Sequence, residues 1–249
     1  WPQCMPRPRG LWKRGRSNCF MAKGWRARIP VLDMLIELSR DGKDYGHIDV
    51  REAIAAMLIV SHETTAVALS FTCWMLSQHQ DVQEKVLMEQ KEIFGDSDRP
   101  ATYRDIQEMK YLEMVIRETI RLYPSLPIFG RKLQKDFDVG DFVIPAGANV
   151  IFLAYQIHRN PKYFPDPEKF DPDRFLPDNV MRRNPYSYLA FSAGPRNCVG
   201  MKYGMQVMKG TLSSVIRKFK ILPGSAPLSL RYEIMLGSRT GFKIRLESR

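Results

Sequence analysis

Phe191-Ser192-Ala193-Gly194-Pro195-Arg196-Asn197-Cys198-Val199-Gly200 places one cysteine in a turn punctuated by Gly and Pro, directly before an amphipathic run that starts at Met201. Turn residues on one side and a helical period on the other set Cys198 just ahead of a helix N-terminus. Backbone N–H groups are free there, and the helix dipole favours negative charge. Both effects favour a thiolate over a thiol. Gly194 is able to take a backbone shape closed to other residues, and Gly200 has no side chain to keep a flat, bulky group away from the main chain. Arg196, two residues before the sulfur, carries a fixed fork of donors suited to a carboxylate.

Taken alone, Cys198 reads better as a small buried residue beside a helix cap. Five positions are constrained together, however: Phe191, Gly194, Arg196, Cys198 and Gly200. An anionic sulfur, a flat neighbour and a carboxylate partner describe a haem held by cysteine. The stretch resembles the haem-binding loop of the cytochromes P450, in which a Cys thiolate holds the iron.

Further motifs of that family stand in its usual order. Ser61-His62-Glu63-Thr64-Thr65 lies inside a dense apolar run from about Val50 to Gln78, with Asp49 as its cap. Polar residues in such a helix are costly unless paired. One reading is that the threonines bond back to carbonyls one turn earlier. The resemblance implies another, an acid–alcohol pair in which Glu63 and Thr64 deliver protons to the haem pocket. The family usually has Ala-Gly or Glu-Gly where this chain has Val60-Ser61, so Val60 is expected to crowd the space above the iron. In family 4 a glutamate at that position forms an ester with the haem, which Val60 cannot do.

Glu118-Thr119-Ile120-Arg121 sits on a helix expected from about Ile106 to Leu122, with Glu118 and Arg121 on one face. A surface ion pair there contributes under ~1 kcal/mol, but Val115, Ile116, Ile120 and Leu122 surround it with apolar side chains. The stretch resembles the family's ExxR helix, and Phe170-Asp171-Pro172-Asp173-Arg174-Phe175 its partner loop. Three buried charges destabilise unless each is satisfied. The resemblance gives Glu118, Arg121 and Arg174 a supporting role beneath the cofactor. It also makes Arg131 a second cation, after Arg196, for the haem propionates.

The rest of the pattern predicts a mainly α fold with a small β-sheet region, and the resemblance makes this the C-terminal portion of a cytochrome P450 fold, from its long central helix onward. Helices are expected from Ile29 to about Asp41, Asp81 to Ile93 and Tyr203 to Phe219, and a short capped segment at Thr102–Asp105. Period-2 stretches predict a hairpin within 131–147, a strand at Asn149–Phe152 and a C-terminal hairpin over Leu228–Leu246 turning near Gly237 and Gly241. Residues 159–190 read as a long loop. Residues 1–28 have no apolar period and are left unassigned, as disordered or as an artefact of a gene model. Residues 29–249 are taken as the haem-binding part.

With 249 residues, 26% charged and 44% hydrophobic, the composition is that of a globular protein. The four cysteines, Cys4, Cys19, Cys73 and Cys198, have no CxxC or zinc spacing, so no disulfide framework is expected. The net charge of +11 is spread along the chain. No zinc finger, RNP-type motif or aromatic–basic ladder accompanies it, so no nucleic-acid partner is expected. A cluster of Lys202, Lys209, Arg217, Lys218 and Lys220 follows the cysteine, on the side where the family's redox partner docks. The longest uncharged run, Thr64–Gln80, is shorter than the ~20 apolar residues of a membrane span. It reads as a buried core helix, and no signal peptide or anchor is visible.

The resemblance, most like family 4 and its insect members, implies haem b with Cys198 as axial ligand. It implies insertion of one O2-derived oxygen into a C–H bond of a fatty acid, related lipid or xenobiotic. Electrons are expected from NADPH through NADPH–cytochrome P450 reductase, with cytochrome b5 as a second donor. The implied location is the cytoplasmic face of the endoplasmic reticulum membrane, reached through an N-terminal part this chain lacks. The chain is about half the length of a family member, and the alternative expectation is a truncated fragment or a non-catalytic haem-binding protein.

Overall fold

The computed structural model describes residues 30–40 and 47–249, so the unassigned 1–28 segment, with Cys4 and Cys19, lies outside the described residues. The chain divides into two units, up to Met57 and from Leu58 onward. Described in the first are helix α1 (Val31–Arg40) and the opening turns of α2 (His47–Gln78). The second holds the rest of α2 and every later element.

Those elements are α3 (Gln80–Phe94), α4 (Tyr103–Glu108) and α5 (Lys110–Leu122), then β1 (Phe129–Lys132), β2 (Phe137–Asp138), β3 (Val143–Ile144) and β4 (Asn149–Phe152). After them come α6 (Ala154–Ile157), α7 (Pro177–Arg182), α8 (Met201–Lys218), β5 (Phe219–Pro223), β6 (Leu230–Tyr232), β7 (Leu236–Ser238) and β8 (Ile244–Ser248). Short 3-10 turns lie at Pro172–Phe175, Pro185–Ser187 and Gly194–Arg196. The unit is mainly helical with four small two-stranded antiparallel sheets.

The core forms where apolar stripes face each other. On α5, Leu112, Val115, Ile116 and Ile120 recur at i, i+3, i+4 and i+8, and all are buried. On α8, Met208, Leu212 and Ile216 form a matching stripe. These pack with Val82, Val86 and Leu87 of α3 and with the C-terminal turns of α2 through Ala68, Met75 and Leu76. Gln83 ties α3 to β5: its Nε2 donates to the Ile221 carbonyl at 2.8 Å and its Oε1 accepts from the Ile221 N–H at 2.9 Å.

The stretch 159–190, expected as a long loop, holds α7 and two 3-10 turns, and Asp49, expected as the cap of α2, lies inside its first turn. Four further expectations need correction. First, α2 is not buried throughout. Leu58, Ile59 and Val60 are 58–65% exposed, whereas Phe71 and Leu76 are fully buried. Ser125 Oγ donates to the Thr64 carbonyl at 2.8 Å, and among the described residues the buried positions of the helix begin at Ala68. By length and composition, Asp49–Gln78 is apolar enough to cross a membrane, but its C-terminal half is part of the core. Second, the helix expected from Ile106 to Leu122 breaks at Met109 (φ −71°, ψ 74°). Glu89, on α3, accepts from the backbone N–H groups of Tyr111 and Leu112 and so caps α5 from another helix. The reciprocal capping box of Thr102 and Asp105 starts α4 separately.

Third, the C-terminal hairpin is shorter than its pattern. β6 pairs with β7 (Leu230↔Ser238), turning at Glu233–Met235. β8 instead pairs with β5, Phe219↔Ser248 to Pro223↔Ile244. Fourth, two members of the basic cluster are engaged. Lys209 is buried with its Nζ 3.0 Å from Glu113, and Arg217 donates to the carbonyls of Ser97 and Arg99 at 3.1 Å.

Gly224 sits where β5 ends and the returning chain passes. Its N–H donates to the Lys243 carbonyl at 3.1 Å, and a Cβ there would lie 2.3 Å from the same oxygen. Backbone cannot yield as a side-chain tip can. Gly224→Ala is therefore expected to destabilise the chain by about 1–3 kcal/mol, read as a lower urea midpoint with an unchanged slope.

Candidate haem-thiolate site

The site is built on α5. Glu118 and Arg121 face inward one turn apart, both with 0% side-chain exposure. Arg121 Nε donates to Glu118 Oε2 at 2.6 Å and Nη2 to Oε1 at 2.9 Å, a two-pronged pairing. Two further donors go to main chain, Nη1 to the His158 carbonyl at 2.9 Å and Nη2 to the Lys169 carbonyl at 3.2 Å. Glu118 Oε1 also accepts the Asp171 N–H at 2.9 Å. Arg174 approaches from its 3-10 turn, Nε at 3.5 Å from Glu118 Oε1, while its Nη2 donates to the Asp166 carbonyl. The structure thus brings Glu118, Arg121 and Arg174 together. Burial pushes the Glu118 carboxyl up, against the opposing pull of Arg121, the Asp171 amide and Arg174.

His158 is the residue the sequence reading missed. It is fully buried. Its Nε2 accepts the Leu189 N–H at 2.8 Å, and its Nδ1 lies 3.1 Å from the Arg121 carbonyl. Leu189 leads into the cysteine loop. There the Ser192 N–H donates to the Leu189 carbonyl at 2.9 Å, and the Cys198 N–H to the Phe191 carbonyl at 2.9 Å. Ser192 (φ 59°) and Gly194 (φ 76°) take left-handed backbone shapes that turn the chain sharply. The loop delivers Cys198 to the surface with an exposed thiol, three residues before α8, whose N-cap is Gly200.

Arg131, from β1, reaches the same loop. Its Nη2 donates to Ser192 Oγ at 2.9 Å and to the Arg196 carbonyl at 3.3 Å. The two expected propionate cations, Arg131 and Arg196, therefore stand on one patch of backbone. On α2, a Cβ at Gly204 would meet Thr65 Oγ1 at 3.9 Å, so the Thr64–Thr65 turn lies against α8 one turn past Gly200. Thr64 Oγ1 donates to the Val60 carbonyl at 2.7 Å, which is the back-bonded arrangement. Ser61 Oγ donates to the Leu58 carbonyl at 3.2 Å. Glu63 is half exposed, 3.7 Å from His62 Nδ1.

These residues fit a thiolate-held haem. The sulfur is exposed on a loop pinned by backbone bonds. No heavy atom lies within 4 Å of a Cβ built on Gly194, and on Gly200 such a Cβ meets only Cys198 Sγ, at 4.0 Å. The flank beside the sulfur is thus bare backbone with room for a flat group. Val199, next to the sulfur, is apolar and 98% exposed.

His158 gives the site a pH dependence. Burial pushes its imidazole down to about 3, with Arg121 and Arg159 acting the same way against the Arg121 carbonyl. The unfolded chain binds a proton near pH 6.5 that the folded chain refuses, so stability is complete above pH 6.5 and falls as pH drops toward 3. His79, also lowered by burial, adds in the same direction. The raised carboxyls of Glu118 and Glu89 act in the opposite direction, so the His158 share, about 2 kcal/mol lost between pH 6.5 and pH 5.0, is read as the difference in urea unfolding between the parent chain and His158→Phe at the two pH values.

Comparison with known proteins shows the family. The family model described as Cytochrome P450 matches residues 21–241, beginning inside the stretch left unassigned from the sequence. Cytochrome P450 4c3 of Drosophila melanogaster is 39% identical over 229 residues, 91% of this chain and 43% of that protein. Cytochrome P450 4g15 of the same organism is 40% identical, covering 91% of this chain and 40% of that protein. Cytochrome P450 4V2 of Homo sapiens is 40% identical, covering 89% and 43%. The chain thus spans less than half the length of these three relatives. On its motifs, its fold and this similarity, the chain belongs to the cytochrome P450 family and is most similar to members of family 4.

Proposed function

We propose that this chain is the haem-thiolate part of a monooxygenase that inserts one oxygen atom from O2 into a C–H bond of a lipophilic substrate. Two electrons and two protons reduce the second oxygen atom to water. The observation that carries the reading is Cys198: an exposed sulfur on a turn held by the Cys198 N–H to Phe191 carbonyl bond, ahead of α8. Haem b, when bound, supplies the oxygen activation. Cys198 holds the iron, Arg196 and Arg131 hold the propionates, and Phe191, Gly194 and Gly200 shape the face against the ring.

Glu63 and Thr64 have the roles of holding and passing protons. For Thr64 this requires the hydroxyl to leave the Val60 carbonyl. Glu118, Arg121 and Arg174 support the loop and take no part in the chemistry. The similarity to family 4 favours fatty acids or related lipids as substrates, with xenobiotics as the second class. It also favours NADPH–cytochrome P450 reductase and cytochrome b5 as electron donors, and the cytoplasmic face of the endoplasmic reticulum as the location. Lys202, Lys218 and Lys220 remain as basic contacts for an acidic donor.

A second reading is a haem-binding protein without turnover. The bonded Thr64 hydroxyl and the bulky Val60 favour it. Haem titration followed by the reduced, CO-treated spectrum separates the two. The monooxygenase reading expects a thiolate-type Soret band, its loss in Cys198→Ser, and NADPH-dependent oxygenation of a fatty acid with added reductase. The thiolate band without oxygenation supports the second reading. No haem uptake favours a truncated, incompetent fragment over both, and an unchanged band in Cys198→Ser contradicts both.

A further inference from the structure

We infer that His158 is the positioning residue of the cysteine loop: it couples the main chain at Arg121 to the main chain at Leu189 and so fixes where Cys198 stands. Its importance for catalysis rests on the haem-thiolate reading above. The coupling itself does not.

The assignment follows from hydrogen-bond logic. A backbone N–H only donates, so the Leu189 N–H, 2.8 Å away, requires a lone pair on His158 Nε2. The ring proton therefore sits on Nδ1, which faces the Arg121 carbonyl at 3.1 Å. Arg121 Nη1 returns a bond to the His158 carbonyl at 2.9 Å. The two residues are thus tied in both directions, and both of His158's ring nitrogens are used. No other side-chain type has this rigid donor–acceptor pair on opposite edges of one flat ring. The ring also stacks on Tyr188, with centroids 5.1 Å apart and planes at 23°. His158 therefore grips two successive residues at the entrance of the loop. From Leu189 the ladder continues through the Ser192 N–H to the turn that carries Cys198. Arg131 pins the same turn at Ser192 Oγ, so the loop is held at two points from two different elements.

Three observations on the whole 249-residue chain test this, none needing haem. Ring nitrogen NMR is expected to show His158 protonated on Nδ1, with scalar coupling across the hydrogen bond between Nε2 and the Leu189 amide nitrogen. His158→Phe keeps the stacked ring and removes both ring bonds. It is expected to speed hydrogen exchange at the amides of Leu189, Ser192 and Cys198 by at least about tenfold, while core amides of α5 and α8 are unchanged. His158→Gln, which keeps an acceptor near Nε2, is expected to restore much of that protection. When haem is then added at equal folded content, His158→Phe is expected to give a smaller thiolate-type fraction than His158→Gln. An Nε2-protonated ring, absent coupling, or loop exchange in His158→Phe equal to the parent's overturns the inference. So does exchange that rises equally in the core. If His158→Phe does not fold, the coupling in the unaltered chain decides. Haem uptake by the unaltered chain tests the functional reading separately.

Discussion

The bond between Arg121 and Glu118 is the constraint around which the second unit is arranged. Both side chains are fully removed from solvent, where an unpaired charge is very costly. The pair persists because each nitrogen of the guanidinium and each oxygen of the carboxylate has a partner. The carboxylate takes the guanidinium fork and the Asp171 amide, and the guanidinium also takes the carbonyls of His158 and Lys169. These partners lie 37 to 53 residues away along the chain. One helix face thus gathers the segment after β4 and the loop around residue 170. A buried ion pair adds little net stability compared with an apolar pair of the same size. Its consequence here is registry: the loop segments meet α5 in one arrangement only.

That registry matters because the cysteine loop has little packing of its own. Gly194 to Val199 are all exposed, and two residues of the turn hold left-handed backbone shapes. Such a segment stays ordered only if it is tied at its ends. The ties are the Leu189 amide on His158, the Arg131 fork on Ser192 and Arg196, and the start of α8 at Met201. The rigid part of the molecule is the apolar interface of α3, α5 and α8. The sulfur proposed to hold the haem sits at its edge, on a loop positioned by that scaffold, as is common for functional residues.

Much of this was legible in the sequence. Period and capping located α1 to α5 and α8 to within a few residues, because those signals are local. The break at Met109 was not, because its cap comes from Glu89, 22 residues earlier. The pairing of β8 with β5 was hidden because strand alternation marks a strand without naming its neighbour. The burial of α2 was overread because apolar density says nothing about which elements are present to cover it. In the site, Glu118, Arg121, Arg174 and Cys198 stood out through spacing and family resemblance. His158 did not. Its ring partners are two main-chain groups, 37 and 31 residues away, and a main-chain partner leaves no mark in the side-chain pattern.

The account depends on one ligand, the sulfur of Cys198 on a haem iron. Iron-edge X-ray absorption of the haem-loaded chain tests it most directly. A sulfur scatterer in the iron's first shell, absent in the Cys198→Ser chain, is the expected result. A shell of nitrogen and oxygen alone in the unaltered chain contradicts the account.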